Sequence, residues 1–562
     1  MDQLNSITVS PSLVTLGQNA TQAYTAAGHF TLASGSASDF DVSSQVTWNS
    51  SNTNVATIDN TGHATTTGVG STTITATSCD GLTVGTATLL VASPAADSLL
   101  VAPATITIST GTTTLFTVME KLANGTIQAL PPGTVVAWSS DTSTVATVDA
   151  NSGVALGVAA GTANIIASST GLNPGAAVLT VQAATARFAY IANKQGNGVG
   201  GALGAGSISI YTVDAAGGTF TEVAGSPFPA NNPQQVLFHP SGHLMYYINS
   251  SSRIITNFID PSSNTGGFID AQRTAYVAGT GVNNVGVIDP FGRFLYVIED
   301  TGTIYGFSIA QTQVQATNGV LTAIPGLTAY TDATLNVPTW VMTDRAGKYL
   351  YVVNDGNATI SEYSIDQSTG ELTPLSTPTI STGDGTNFPL FGTTDVNGHL
   401  YVGNFGDVTA GSVDSVSAYT IDTSSGPTAG QLTSAGPDKV IPTATQTINV
   451  ITDPTGKFIY VLDQNATSAT APGQVFAFNL DPVTGLIGNQ IGIAQPCGAT
   501  PLGMAIDPTG ALLAVDNNID NTISLFKVTL TGASAGGLST QTTVPTDQIP
   551  QFVVFYTAAS TQ

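Results

Sequence analysis

Histidines, cysteines and arginines carry much of enzyme chemistry, and this chain has few of them. His239 and His243 stand four residues apart, a spacing that puts two imidazoles on one face of a helix. Here they bracket the turn Pro240-Ser241-Gly242, so they leave from adjacent strand ends, and a zinc pair is not expected. His29, His63 and His399 are isolated in the sequence. Cys79 and Cys497 are the two cysteines. They read either as separate thiols or as a disulfide between domains or between neighbouring molecules. Two loops, Asp516-Asn517-Asn518-Ile519-Asp520-Asn521 and Asn354-Asp355-Gly356-Asn357, offer the oxygen ligands that Ca2+ prefers. Neither has an EF-hand frame with a bidentate Glu, and Asx-turn chemistry accounts for both first. Ca2+ is the one cofactor candidate. Sequons such as Asn19-Ala20-Thr21 and Asn465-Ala466-Thr467 arise by chance in a chain this rich in Asn and Thr.

The elements around these residues are strands. Thr, Ser, Val, Gly and Asn abound and Glu, Lys, Arg and Leu are sparse, which favours strands and turns over helices. Charged residues are 8%, with Lys+Arg 11 against Asp+Glu 35 and a net charge of -24. That balance repels nucleic acid and anionic lipid. A surface covered by hydroxyls and amides is more usual for an exported protein. It would lose most of its repulsion near pH 4, so an acidic habitat is a further reading. No apolar run is long enough to span a membrane. Residues 1–20 lack a basic segment followed by an apolar one, so no signal peptide is visible. The expectation is a processed, extracellular or cell-surface chain.

One phrase organises the C-terminal two-thirds. Asp453-Pro454-Thr455-Gly456 turns into the strand Phe458-Ile459-Tyr460-Val461. The phrase returns at His239, Asp289, Asp344, Asp395 and Asp507. Each unit adds two more strands and a Thr-Gly-type turn. Four antiparallel strands in a unit of about 50 residues make a propeller blade. Full units start near Pro233, Val282, Val337, Phe388, Thr447 and Pro501, which makes six. Three orphan strands (Arg187–Ala192, Ser207–Asp214, Thr219–Val223) precede them and one, Pro550–Tyr556, follows. Together these make a seventh blade shared between the two ends of the segment, which removes bare sheet edges.

Residues 1 to 183 hold a tandem duplication. Trp48-Asn49-Ser50-Ser51 and Val55-Ala56-Thr57-Ile58-Asp59 return as Trp138-Ser139-Ser140 and Val145-Ala146-Thr147-Val148-Asp149. Gly62 and Gly153 mark the turns that follow. Short strands at regular spacing indicate β-sandwiches with Trp48 and Trp138 as core plugs. The pattern resembles the group 2 bacterial Ig-like domains of invasin- and intimin-type surface proteins. That resemblance implies an extracellular spacer or adhesive module without catalysis. The fold class expected is therefore all-β. Ig-like sandwiches at 1–93 and 94–183 precede a seven-bladed propeller with a shared closing blade at 184–562.

The blade phrase resembles the lactonase-like propellers of the 6-phosphogluconolactonase and muconate-cycloisomerase type. In enzymes of that kind the resemblance implies His, Arg and Glu side chains around the central channel. This sequence departs from that set. Pro233-Gln234-Gln235-Val236 offers Gln where His would serve, and strand ends such as Ile248-Asn249-Ser250 and Val353-Asn354-Asp355 carry no Arg. Arg293 and Arg345 fall within hairpin turns and read as solvated charges. A lactonase needs a positive group and a base near neutral pKa, and neither is evident.

The function expected is a non-catalytic structural or adhesive role, with self-association into a filament or contact with cell-surface and matrix components. The alternatives are a lactonase-like enzyme on an Ig-like stalk and a glycan- or peptide-binding propeller. The binding reading looks to long polar loops such as Gln195–Gly200 and Asp407–Ser412.

Overall fold

The computed structural model describes residues 3–92, 96–110, 113–148, 150, 153–183, 188–194, 206–240, 242, 244–250, 253–259, 268–277, 284–310, 319–383, 388–406, 413–441, 444–465, 470–540 and 542–556. His243, Arg187, Asp149 and the loops at 195–200 and 407–412 lie outside them. The described residues are strands and the turns and loops between them. A single 3-10 turn, Asp355–Asn357, is the helical exception among them, and no helix is long and apolar enough to cross a membrane. They form two compact units, one of 1–101, 118–136 and 167–175, the other of 102–117, 137–166 and 176–562.

The first sandwich follows from alternation. Thr47–Ser50, Gly70–Thr77, Val84–Val91 and Leu13–Leu16 form one sheet, with the last pair parallel. Ile7, Val9, Tyr24, Trp48, Ile74 and Leu89 face inward as its core. The Trp48 indole donates to the Ser43 carbonyl at 3.0 Å, so its polar edge is satisfied within the sandwich. Gly62 has φ +82°, and a Cβ there would crowd the Trp48 ring and the Tyr24 carbonyl. Turn geometry and core packing both require glycine at that position. The second copy repeats the strand order: Ala137–Ser140, Gly161–Ser168, Gly175–Gln182 and Thr105–Ser109 form the corresponding sheet. Trp138 is buried, and Gly153 lies against it as Gly62 lies against Trp48.

Seven blades follow among the described residues, each with four antiparallel strands in order from inner to outer, and three of them with a short fifth strand off that path. Their inner strands are Pro233–Phe238, Asn284–Ile288, Pro338–Thr343, Phe388–Thr394, Thr447–Thr452, Pro501–Ile506 and Pro550–Tyr556, numbered here as blades 1 to 7. The closing blade is assembled from both ends of the segment. Tyr556 pairs opposite Phe188 and Phe552 opposite Ala192, and Ser207–Asp214 and Thr219–Glu222 complete that sheet. Pro550–Tyr556 packs beside both Pro501–Ile506 and Pro233–Phe238, so the ring closes.

The recurring turn phrase builds the blade. In blade 5 the Asp453 carboxylate accepts N–H bonds from Thr455, Lys457 and Phe458 at 2.9, 2.7 and 2.7 Å. Asp344 does the same for its hairpin, and Asp507 accepts the N–H groups of Thr509 and Leu512. The turn glycine takes positive φ, 65° at Gly456 and 60° at Gly347. The tyrosine of the following strand fastens the next blade. Tyr246, Tyr296, Tyr351 and Tyr460 donate to the carbonyls of Gly319, Gly370, Gly430 and Gly536 at 2.7–3.2 Å. Blade 4 substitutes a different fastening. There His399 pairs with Asp395 at 2.9 Å and packs on Gly485, and Tyr401 turns its hydroxyl to Asp395.

Candidate functional site: the propeller channel

Most inner strands begin with a break in their ladder that re-aims side chains. Blades 1, 3, 6 and 7 start with Pro233, Pro338, Pro501 and Pro550, whose missing N–H suits a first strand position. The residues before them, Asn232, Val337, Thr500 and Ile549, all have positive φ, 46° to 58°. That conformation is costly for β-branched side chains. It aims each carbonyl at an N–H beyond the neighbouring strand: Ser250, Asp355, Asn518 and Lys194 donate to them at 3.0–3.1 Å. One residue later the ladder slips, between Pro233 and Gln235, Pro338 and Trp340, and Pro389 and Phe391. A bulge of this kind re-aims side chains at a rim. Both members of Gln234/Gln235, Thr339/Trp340 and Gln551/Phe552 thus line one cavity of about 170 Å3, completed by Val285, Phe391 and Leu502.

A second cavity of about 470 Å3 shares Gln235, Trp340 and Phe552 and runs to the turn end of the channel. Its lining there includes Thr343, Asp344, Arg345 and Thr394. Several polar side chains along the wall are tied to neighbouring inner strands. The Gln235 amide donates to the Gly286 carbonyl at 3.1 Å and accepts the Gly286 N–H at 2.7 Å. Thr339 donates to Pro389 O at 3.1 Å and Asn449 to Leu502 O at 3.3 Å. The strand-end amides are equally engaged: buried Asn354, Asn404 and Asn517 donate to hydroxyls of the adjoining strand.

Both arginines of the turns depart from the expected solvated charge. Arg293 pairs with Asp289 at 2.9 Å, reaches Gln367, and lies over Phe291 and Phe294. Its turn holds the carboxylate, the partner that a lone reading of Arg overlooks. Arg345 lines the larger cavity, and burial lowers its pKa. A positive group therefore does stand at the channel. The carboxylate beside it, Asp344, is pushed up to about 6 by burial, yet it accepts N–H bonds from Ala346, Lys348 and Tyr349. It is a turn carboxylate before it is a base.

One buried acid has no counterpart in the other blades. The position just before the buried Asn, Glu or Asp near the end of the second strand is Ala192, Ile248, Ile298, Val353, Gly403 or Leu462 in six blades, and Asp516 in blade 6. Its cross-strand neighbours in those blades are Phe552, Gln235, Val285, Trp340, Phe391 and Asn449. In blade 6 the neighbour is Gly503, and a Cβ there would collide with the Asp516 carboxylate. Asp516 is fully buried, and neither carboxylate oxygen has a well-formed hydrogen bond. Burial pushes its pKa up to about 7 against the weak pull of the Gly503 and Leu502 N–H groups.

The other residues singled out from the sequence are placed apart. His239 contacts the Gly292 carbonyl at 2.9 Å, His29 pairs with Asp39, and His63 bonds Thr61. Among the described residues no three His, Cys, Asp or Glu side chains converge as a metal site. In the loop after Asp516, Asp520 accepts the Ala499 N–H, Asn518 donates to Pro550 O, and Asn521 accepts the Ile549 N–H. Both cysteines are free thiols; Cys79 is exposed and Cys497 is buried. Cys497 lies in an apolar cluster with Tyr460, Leu462 and Phe526. Burial there pushes its thiol well up, away from the reactive thiolate.

The fold and its channel define a seven-bladed propeller of the lactonase class. The family described as lactonase, 7-bladed β-propeller, matches residues 140–282 and 305–465, more than half of the chain, and the chain belongs to it. The bacterial Ig-like domain (group 2) matches residues 3–89. Among solved structures, a putative 6-phosphogluconolactonase from Bacteroides fragilis is similar over 66% of this chain and 97% of its own, with TM-score 0.51 and 17% identity. The periplasmic gluconolactonase of Pseudomonas aeruginosa aligns over 66% of this chain and 99% of its own, with TM-score 0.52 and 15% identity. These likenesses establish the fold. Ice-binding protein 1 of Shewanella frigidimarina is 35% identical over 182 residues, 32% of this chain and 19% of that protein. The chain thus spans about a fifth of that relative's length.

Proposed function

We propose that this protein is an exported bacterial surface protein in which Ig-like modules, bounded near residues 93 and 183, carry a propeller with a non-catalytic, structural or adhesive role. The observation that carries the reading is the channel wall. Gln235, Thr339 and Asn449 are tied to neighbouring backbone, and the Asp344 carboxylate beside Arg345 is taken up by three N–H groups. A hydrolytic site needs a base free to meet its substrate, and Asp516, whose oxygens make no well-formed bond, is wholly buried. The charge-poor composition and the Ig-like match support placement outside the cell. Contacts between copies, building a filament, belong to the same reading.

Lactonase activity is the second reading, favoured by Arg345 at a cavity large enough for a sugar acid. Assays of the purified chain with sugar lactones between pH 5 and 8 decide between them. The expected result is no rate above spontaneous hydrolysis. Turnover that disappears in Arg345→Ala would overturn the structural reading. Electron microscopy of the same material separates discrete particles from fibres.

A further inference from the structure

The mouth of the channel at the bulged strand ends has a composition of its own. Its nine lining residues are Gln234, Gln235, Val285, Thr339, Trp340, Phe391, Leu502, Gln551 and Phe552. None is charged. Trp340 and Phe391 stand with ring centroids 4.5 Å apart, tilted by 45°, and Phe552 adds a third ring. Among the described residues the Gln551 amide makes no bond to protein, so it is available to a ligand.

We infer that this mouth binds a neutral sugar, as the terminal residue of a glycan. This deepens the adhesive reading above and rests on it. A pyranose has one apolar C–H face and a rim of hydroxyls. The rings of Trp340, Phe391 and Phe552 suit the face, and the Gln551 amide, which both donates and accepts, suits vicinal hydroxyls. A purely apolar ligand would leave the Gln551 amide unpaired. A charged ligand would enter a mouth without a counter-ion, at a desolvation cost nothing there offsets. Size agrees: about 170 Å3 admits one ring, whereas pockets for drug-sized ligands begin near about 300 Å3. The strained residues before Pro338, Pro501 and Pro550 hold this rim in place, as costly backbone is held at binding sites elsewhere.

The test uses the full chain and a panel of methyl glycosides of glucose, galactose and mannose, with gluconate, glucose 6-phosphate and a blocked dipeptide as contrasts, read by calorimetry and ligand-observed NMR. At least one neutral glycoside should bind. Trp340→Ala should weaken it at least tenfold and Gln551→Ala severalfold. If Trp340→Ala does not fold, Gln551→Ala and Gln551→Leu decide. Binding of none of the neutral glycosides overturns the inference, as does binding indifferent to Gln551. Preference for the anionic sugars through Arg345, or for the dipeptide, overturns it too. The parent reading fails separately, by lactone turnover in the same preparation, which absence of glycoside binding does not touch.

Discussion

Asp516 shows how a single side chain breaks a repeat. Six blades fill its position with an apolar side chain or glycine and the facing position with a larger group; blade 6 exchanges these for a carboxyl and Gly503. With its folded pKa raised from 3.8 to about 7, its stabilising contribution is fully present below 3.8 and is lost as pH rises toward 7. Asp516→Asn should therefore melt a few degrees higher than the parent at pH 8, with the gap narrowing by pH 5 and closing below pH 3.8. An equal gap at both pH values would show that the carboxyl does not hold a proton. The cysteines allow an equally local check. One thiol, Cys79, should react with a disulfide reagent in the native chain, and Cys497 only after denaturation. Two fast thiols, or covalent oligomers larger than a dimer on non-reducing gels, would contradict the burial of Cys497.

At the level of elements, the blade was legible because its grammar is local. Asp and Gly in each turn serve hydrogen bonds two to five residues away, and such spacing is written in the chain. The shared seventh blade was legible by counting strands, since three before and one after complete the sheet. Long-range fastenings were not. Tyr296 reaches Gly370 in the next blade, a separation no local pattern marks. Tyr296→Phe should cost about 1–2 kcal/mol, because a buried carbonyl loses its donor; an unchanged denaturation midpoint would show the fastening to be incidental. The channel mouth was half legible. Gln234 and Gln235 stood out, while Thr339/Trp340 and Gln551/Phe552 were hidden because alternation assigns neighbours to opposite faces. The bulge puts them on the same one. Arg345 was misread for a related reason: a turn residue looks solvated until the ring brings a cavity to it.

Across the whole molecule, the buried acids should set a pH optimum. Asp516 and Glu362 are pushed up to about 7 and Asp344 to about 6, all chiefly by burial. His399 is raised chiefly by its bond to Asp395. Each contributes stability that is lost as pH rises through its folded value. Asp366, Asp422 and Asp481 are lowered by local hydrogen bonds and lose their contribution as pH falls below 3.8. Thermal melts should peak between pH 3.8 and about 6, in line with the acidic habitat that the composition allows. A peak above pH 7 would refute this balance. The closing blade has a consequence in time as well as in space. Its inner strand comes from residues 550–556 and its other three from 188–222. Until residue 556 has been synthesised, blades 1 and 6 present open flanks across a gap, and the ring cannot close. During synthesis the earliest propeller strands must wait, with apolar surface uncovered, for the last to arrive.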